Sequence, residues 1–279
     1  MEDTTLSRLR GITYGSCWIM TVGSYGAFDN VKCDDIQSVY TPCHTGASRP
    51  SGLECPFPPH PLTACDLRVC ACLPQGISIG GASWVFSAGY ADRFECDGCN
   101  AGSIGGGIVL YGAVEFKLTN SIIKNSNADQ GGGIWMVATA GAVVRDLLVD
   151  GCSAGSFGGG IYLNGATPAM ERVRLTNSRA TLGGGMYLTG SAPQLKNVIV
   201  SGCTAAESGG GIWVGPGSTL AAPLDITNSH VATGGSGGGL TVTGGVVNVL
   251  PGSRISDCSA STGGLIEVPC LPEAVPGGR

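Results

Sequence analysis

Gly131-Gly132-Gly133-Ile134 is one copy of a motif, three glycines followed by an apolar residue, that recurs through most of the chain. Intact and weaker copies alike keep a nearly constant period of about 26 residues, which indicates a repeat architecture. The copies begin at Gly80, Gly105, Gly131, Gly158, Gly183, Gly209, Gly237 and Gly263.

One repeat, spanning residues 158–182, predicts the local structure. Ile161-Tyr162-Leu163 alternates with the period of two that is typical of a strand, and Asn164-Gly165-Ala166-Thr167-Pro168 has the composition of a turn. Residues 170–175 then supply inward positions for two more short strands. Helices are excluded, because each interior glycine costs a helix about 1 kcal/mol. Three short strands per repeat predict an all-β fold, a right-handed parallel β-helix of about eight coils stacked about 4.8 Å apart.

The repeat also predicts the domain organisation. Residues 1–38 form a degenerate first coil, since Cys17-Trp18-Ile19-Met20 falls at the phase of Gly160-Ile161-Tyr162-Leu163, and Phe28 to Cys33 at that of Met170 to Leu175. Residues 39–76 are rich in Cys and Pro and predict a loop insertion stapled by disulfides, because Pro cannot donate to a β-ladder. The β-helix then covers residues 77–270, and residues 271–279 form a C-terminal tail.

Composition and charge narrow the classes of partner. The net charge of −5 and the scattered Lys and Arg residues give no basic footprint for nucleic acid. The longest apolar stretch, about residues 133–144, is too short for a membrane span, which needs roughly 20 residues. Six of the 13 cysteines lie between Cys33 and Cys72, a density that favours an oxidising compartment. Residues 1–25 show no secretory signal, so we expect an extracellular or cell-surface protein whose sequence here is a fragment, rather than an intracellular one.

Cysteine and serine alternate in the turn before each glycine triplet, always after Gly, Asn or Asp, the residues that tolerate a left-handed backbone. Alternate coils lie roughly 9.6 Å apart, beyond the roughly 7 Å limit for a disulfide. We therefore expect buried structural thiols in this column rather than metal or redox sites. Cys33 and Cys96 share the phase of Leu175 in adjacent coils and predict a disulfide. The four column cysteines are Cys99, Cys152, Cys203 and Cys258.

A second column is mostly aromatic and lies between inward-facing positions, so its side chains should point outward. One interpretation is a flat platform that contacts sugar rings or a protein partner. The other is a self-stacking ladder that only stabilises the sheet. The candidate contact residues are Trp135, Tyr162, Tyr187 and Trp213, in a column completed by Trp84, Val109 and Thr241.

The sequence offers no candidate catalytic, cofactor-binding or metal-binding residue. The outward charges around Arg145, Glu171 and Lys196 alternate in sign, as in solvated cross-strand pairs. The three histidines have no spacing that suggests a triad or a metal site. The glycine triplet is not a phosphate-binding loop either, because no Lys-Ser/Thr follows it and no helix begins there. An enzyme is therefore the less favoured interpretation.

The turn Leu175-Thr176-Asn177-Ser178-Arg179-Ala180 leading into Gly183-Gly184-Gly185-Met186 resembles the repeats of polymorphic outer-membrane proteins, best known from chlamydial surface proteins. Ile123-Lys124-Asn125-Ser126-Asn127-Ala128 follows the same form, and the resemblance covers residues 77–268. It implies a surface-exposed adhesin built on a solenoid. Alternate turns here depart from that pattern by carrying Gly-Cys in place of Asn-Ser.

Three functions are compatible with these features. The first is a non-catalytic extracellular β-solenoid for adhesion or structural display. The second is a carbohydrate-binding or carbohydrate-active β-helix that uses the aromatic column. The third is a subunit of a surface fibre formed by end-to-end stacking. The expected partners are thus a protein or glycan surface ligand, or further copies of the chain, with no nucleic acid and no cofactor.

Overall fold

A computed structural model describes residues 19–22, 26–29, 32–34, 82–85, 89–113, 115–232, 234–264 and 266–267, with side chains described from residue 89 onward. These ranges contain only short strands joined by turns, and no helix. In chain order the strands are β1 Ile19–Val22, β2 Gly26–Asp29, β3 Lys32–Asp34, β4 Ala82–Val85, β5 Gly89–Asp92, β6 Glu95–Asp97, β7 Ile108–Tyr111, β8 Phe116–Lys124, β9 Asn127–Gln130, β10 Ile134–Val137, β11 Ala140–Asp150, β12 Ser153–Phe157, β13 Ile161–Asn164, β14 Thr167–Thr176, β15 Arg179–Leu182, β16 Met186–Thr189, β17 Gln194–Lys196, β18 Ile199–Ser201, β19 Thr204–Ser208, β20 Ile212–Val214, β21 Thr219–Ala222, β22 Asp225–Thr227, β23 His230–Val231, β24 Leu240–Val242, β25 Val246–Val249, β26 Arg254–Ser256 and β27 Ile266–Glu267.

The strands stack into parallel sheets, each coil adding one strand to each sheet. Sheet A runs β1-β4-β7-β10-β13-β16-β20-β24-β27, and sheet B runs β2-β5-β8-β11-β14-β18-β22-β26 with β3, β6 and β17 beside that path. Sheet C runs β23-β19-β15-β12-β9, and β21 and β25 form a separate pair. Neighbours within a sheet are about one repeat apart in sequence, so the chain winds as a solenoid. The predicted all-β parallel β-helix is confirmed.

The register turns sequence columns into physical ladders. In sheet A, Ile134 pairs with Ile108 on one side and with Ile161 on the other, which is the phase that the glycine triplets predict. In the first coil, Phe28 pairs with Ala91 and Cys33 with Cys96, again as predicted.

Two predicted alignments are wrong by one residue. Trp84 pairs with Leu110, so Ser83 rather than Trp84 stands in the aromatic column opposite Val109. Ile19 pairs with Ala82 and therefore lies at the phase of Ile161, not of Tyr162. The cause is that Ala82 takes the place of the apolar residue after a triplet, whereas the prediction aligned it with the third glycine.

Each glycine of a triplet answers a different requirement. Gly131 has a φ of 63°, in the left-handed region that favours glycine. A Cβ on Gly132 would collide with the carbonyl oxygens of Ser153 and of the next coil's triplet. A Cβ on Gly133 would lie 2.7 Å from the Val149 side chain and 2.6 Å from the Gly160 carbonyl oxygen. The triplet therefore lets the backbone of one coil lie directly against the next.

Alternating Asn-Ser and Gly-Cys turns have a steric explanation. The Asn125 amide donates to Asp97 Oδ1 of the preceding coil at 2.7 Å. Its own Oδ1 lies over the following coil, where a Cβ on Gly151 would come within 2.9 Å of it. The same relation recurs between Asn177 and Gly202, at 2.7 Å. An asparagine in one coil thus requires a glycine in the next, which explains the two-coil period.

The core lies between the sheets as one continuous apolar column. One coil contributes Ile134, Met136, Val144, Leu147 and Val149, each at most 2% exposed, and neighbouring coils add residues at the same phases. Because no single coil can enclose its own apolar face, stability depends on the stacking of neighbours.

Some predictions fall outside the described residues. The Cys/Pro-rich insertion at 39–76 and the tail at 271–279 both do. Within the described ranges, no helix has the length and apolar character needed to cross a membrane.

Candidate functional site

The cysteine column is buried as predicted at its two central positions. Cys152 and Cys203 are fully buried, and their thiols donate weakly to the Asp150 and Ser201 carbonyl oxygens, at 3.7 and 3.6 Å. Burial raises the pKa of both thiols to about 12. Cys258, in the last described coil, is partly exposed, and burial raises its pKa as well. Thiols that stay protonated are poor nucleophiles, so Cys152 and Cys203 act in packing.

Cys96 and Cys99 differ from the prediction. They form a disulfide with each other, with Cα atoms 6.1 Å apart. The reason is local: Gly98, with a φ of 68°, turns the backbone so that Cys99 returns to the core beside Cys96. Cys99 is therefore not a free thiol. The predicted partner Cys33 lies opposite Cys96 in register, but the bond to Cys96 is made by Cys99.

The predicted aromatic column exists, with its rings stacked along the solenoid axis. Ring centroids are 6.1 Å apart for Trp135 and Tyr162, 5.4 Å for Tyr162 and Tyr187, and 4.4 Å for Tyr187 and Trp213. The three interplanar angles are 9°, 7° and 4°. The ring faces cover one another and only ring edges point outward, so Tyr162 and Trp213 are 7% and 9% exposed. This geometry is a self-stacking ladder and does not offer open ring faces as a platform.

Two side chains next to this ladder escaped the sequence analysis. Phe157 lies 4.8 Å from Tyr187, centroid to centroid, and Gln130 Oε1 accepts a hydrogen bond from Trp135 Nε1 at 3.3 Å. Both precede a glycine triplet and pair in register across sheet C. The signal available in the sequence was this column before the triplet, where large side chains of any polarity occur.

A charged cluster lies on the outer face of sheet B. Glu171 receives ion pairs from Arg145 at 3.2 Å, Lys196 at 3.1 Å and Arg172 at 2.7 Å, and Arg172 also pairs with Asp146 at 2.6 Å. Hydrogen bonding from Lys196 lowers the pKa of Glu171, and hydrogen bonding from Arg172 lowers that of Asp146. Each acid is neutralised by cations of its own or neighbouring coils. The cluster is thus the solvated cross-strand ladder that the sequence predicts.

The outer face of sheet C carries an open groove of 660 Å³ that the sequence analysis missed. Its floor is flat because small residues such as Gly155, Ala206 and Ala232 line it. A polar column, one residue from each of five successive coils, runs along it for roughly 19 Å at 4.8 Å per coil. In order, this column is Asn127, Ser153, Arg179, Thr204 and His230. The sequence signal was its position, directly after the Cys/Ser column.

The groove offers hydrogen-bonding groups and one permanent cation. Ser153 Oγ donates to Asn127 Oδ1 at 3.0 Å, and His230 Nδ1 lies 2.8 Å from Ser259 Oγ. Arg179 is exposed, and its guanidinium makes no ion pair with any residue that the structure describes. A guanidinium in this state can bind a carboxylate, phosphate or sulfate through two parallel hydrogen bonds. Among the described residues, no three His, Cys, Asp or Glu side chains gather as metal ligands would.

Comparison with known proteins agrees with this architecture. The model of a family described as "Right handed beta helix region" matches residues 75–222, more than half of the 279 residues. No curated protein and no solved structure matches the chain. Because that match spans the coils from β4 to β21, the chain belongs to the right-handed β-helix family.

Proposed function

We propose that this protein is a non-catalytic extracellular or cell-surface β-solenoid that acts in adhesion or structural display. The sheet C groove carries the proposal. Other repeating columns are engaged in contacts between coils: the glycine triplets, the aromatic ladder, the asparagines and the ion pairs. The groove's polar column instead faces outward and includes a guanidinium with no ion-pair partner among the described residues.

A role at a cell surface has additional support from the sequence. The Asn-Ser turns and glycine triplets resemble the repeats of polymorphic outer-membrane proteins, which implies an adhesin. Thirteen cysteines and the Cys96–Cys99 bond are in keeping with an oxidising compartment.

Attachment of displaying cells tests this function. The protein would be displayed on inert bacteria, and attachment measured to arrayed glycans and to immobilised extracellular-matrix proteins. We expect attachment to at least one surface, with Arg179→Ala reducing it several-fold. Arg174→Ala is the matched control, because Arg174 is an exposed arginine of the same coil on sheet B. Equal attachment by both variants, or none by the wild type, would contradict the proposal.

Carbohydrate binding is a second candidate, favoured by the amide, hydroxyl and guanidinium groups that line the groove. A glycan array with the Trp135→Ala, Trp213→Ala and Arg179→Ala variants separates the possible surfaces. Loss only in Arg179→Ala assigns a glycan to the groove, whereas loss only in the tryptophan variants assigns it to the ladder. No glycan binding by the wild type leaves adhesion to protein or structural display.

A fibre subunit is a third candidate, favoured by apolar side chains in the last described coils. Val246, Val249 and Ile266 are 55%, 50% and 42% exposed. Unpaired strand edges of this kind are templates for further strands. Light scattering during size-exclusion chromatography would show concentration-dependent chains of copies if the ends stack, and a monomer at all concentrations if they do not.

A further inference from the structure

Three cysteines meet where the first coil joins the rest of the solenoid. Cys96 and Cys99 are disulfide-bonded within one coil, and both are fully buried. Cys33 is the register partner of Cys96 in the preceding coil, through the pairing of β3 with β6. That register position faces the core in the coils where side chains are described, since Cys96 and Ile123 are both buried there.

Either partner of Cys96 lies at a distance that a disulfide can span. The Cα atoms of Cys96 and Cys99 are 6.1 Å apart, and paired residues of neighbouring strands lie about 4.8 Å apart. Natural disulfides join Cα atoms about 4.4 to 6.8 Å apart. Cys96 can bond only one partner at a time, so the two bonds are alternatives.

We propose that these three cysteines form a thiol–disulfide exchange site, in which Cys96 passes from Cys99 to Cys33 and so latches the first coil onto the solenoid. In this step the Cys33 thiolate attacks Cys96 Sγ, and a Cys33–Cys96 bond forms as the Cys96–Cys99 bond breaks. Cys99 leaves as a thiolate and takes up the proton that Cys33 released. One disulfide replaces another, so the step needs no external oxidant or reductant.

Chain connectivity favours the direction of this exchange. The Cys96–Cys99 bond closes a loop with a sequence separation of 3, so it forms readily but constrains the unfolded chain little. A Cys33–Cys96 bond closes a far longer loop, because the whole Cys/Pro-rich insertion lies between the two cysteines. In the chain-entropy model the longer loop restricts the unfolded state more and stabilises the fold more. The bond within one coil thus forms first, and docking of β3 against β6 enables the transfer.

Disulfide mapping of the full chain tests the proposal. Wild-type protein is incubated with a catalytic amount of reduced glutathione, quenched with acid, alkylated and digested without reduction, and its peptides are identified by mass spectrometry. We expect a Cys33–Cys96 peptide whose share rises with incubation as that of Cys96–Cys99 falls. In Cys99→Ser, Cys96 should be bonded to Cys33, and in Cys33→Ser, Cys96 should stay bonded to Cys99.

The column supplies reasons to expect that these variants fold. Serine occupies the Cys99 position in alternate coils, at Ser126, Ser178 and Ser229, each buried and bonded to a backbone carbonyl. Cys203→Ser is the matched control, and its Cys96 pairing should equal that of the wild type. Only Cys96–Cys99 in wild-type protein after prolonged incubation overturns the proposal, as does a free Cys96 in a folded Cys99→Ser variant. The wild-type result is decisive even if a variant fails to fold.

Discussion

Single residues in this solenoid are constrained chiefly by the coil above or below them. Gly132 and Gly133 have no room for a Cβ because of the next coil's carbonyl groups, and Gly151 has none because of an asparagine of the previous coil. The sequence displays such constraints as columns, so their structural roles were predictable. The Cys96–Cys99 bond was not, because its signal is local, a left-handed Gly98 between two core positions.

Alanine substitution within one glycine column tests the steric argument. Gly132→Ala should lower the free energy of unfolding by about 2 to 3 kcal/mol, since the added Cβ meets backbone carbonyl oxygens. Gly264 holds the same column position in the last described coil, where an added Cβ meets only the Cys258 carbonyl oxygen at 3.9 Å. Gly264→Ala should cost less than about 0.5 kcal/mol. Equal losses in urea unfolding would contradict the argument.

Thiol labelling tests the cysteine column. With pKa values of about 12, Cys152 and Cys203 at pH 8 carry roughly one thiolate in ten thousand. We expect iodoacetamide to label native Cys258, which is partly exposed, at least 100-fold faster than either of them. Unfolding in urea should equalise the three rates. Rapid labelling of native Cys152 would show that the column is open to solvent.

The same burial predicts a pH dependence of stability. The folded-state pKa of Cys152 lies above the unfolded value of roughly 8.5, so the stability linked to this thiol is complete below that value. It is lost as pH rises from there toward 12. Cys152→Ser should therefore lose less stability than wild type between pH 9 and 11, measured by urea unfolding. Parallel losses would contradict the linkage.

At the scale of elements, the stacked strands place like side chains above one another. Tyr187 is sandwiched between Tyr162 and Trp213 and also contacts Phe157. The sequence correctly predicted an aromatic column over Trp135, Tyr162, Tyr187 and Trp213. It could not predict the ring orientation, because side-chain rotation is set by neighbours from another sheet. The groove of sheet C was missed for a related reason, since its shape depends on small residues from five separate coils.

A double-mutant cycle measures the ladder. Tyr187→Ala and Trp213→Ala should show a coupling energy of about 0.5 to 1.5 kcal/mol, as expected for an aromatic pair in contact. Trp135→Ala and Trp213→Ala, whose rings are separated by two tyrosines, should be additive in urea unfolding. Additivity in both cycles would show that stacking itself contributes nothing.

The ion pairs on sheet B should have a small, salt-sensitive effect. The pKa of Glu171 is lowered, chiefly by hydrogen bonding from Lys196, so its contribution is present above the unfolded pKa of about 4.3 and is lost below it. Acidification from pH 7 to 3 should thus lower the melting temperature of wild type more than that of Glu171→Gln. Near 1 M salt the two proteins should converge. Glu207→Gln, at an exposed position, serves as the control.

For the whole molecule, the repeat was enough to predict the solenoid, because a period of about 26 residues leaves few alternatives. The period also located the first coil, with β1 to β3 pairing onto β4 to β6 across a long insertion. What the molecule binds lies on a surface that no repeat position identifies. Its function therefore has to be tested at the groove rather than at the glycines.

Distances along sheet C test the solenoid most directly. Spin labels carried on an unnatural amino acid, which leaves the native cysteines untouched, would be placed at exposed Asn127 and at either Thr204 or His230. These positions are three and four coils apart, so the backbone separations should be about 14 and 19 Å at 4.8 Å per coil. Pulsed electron paramagnetic resonance giving distributions offset by about one coil would support the account. Equal distances for the two pairs, or separations several times larger than these, would contradict it.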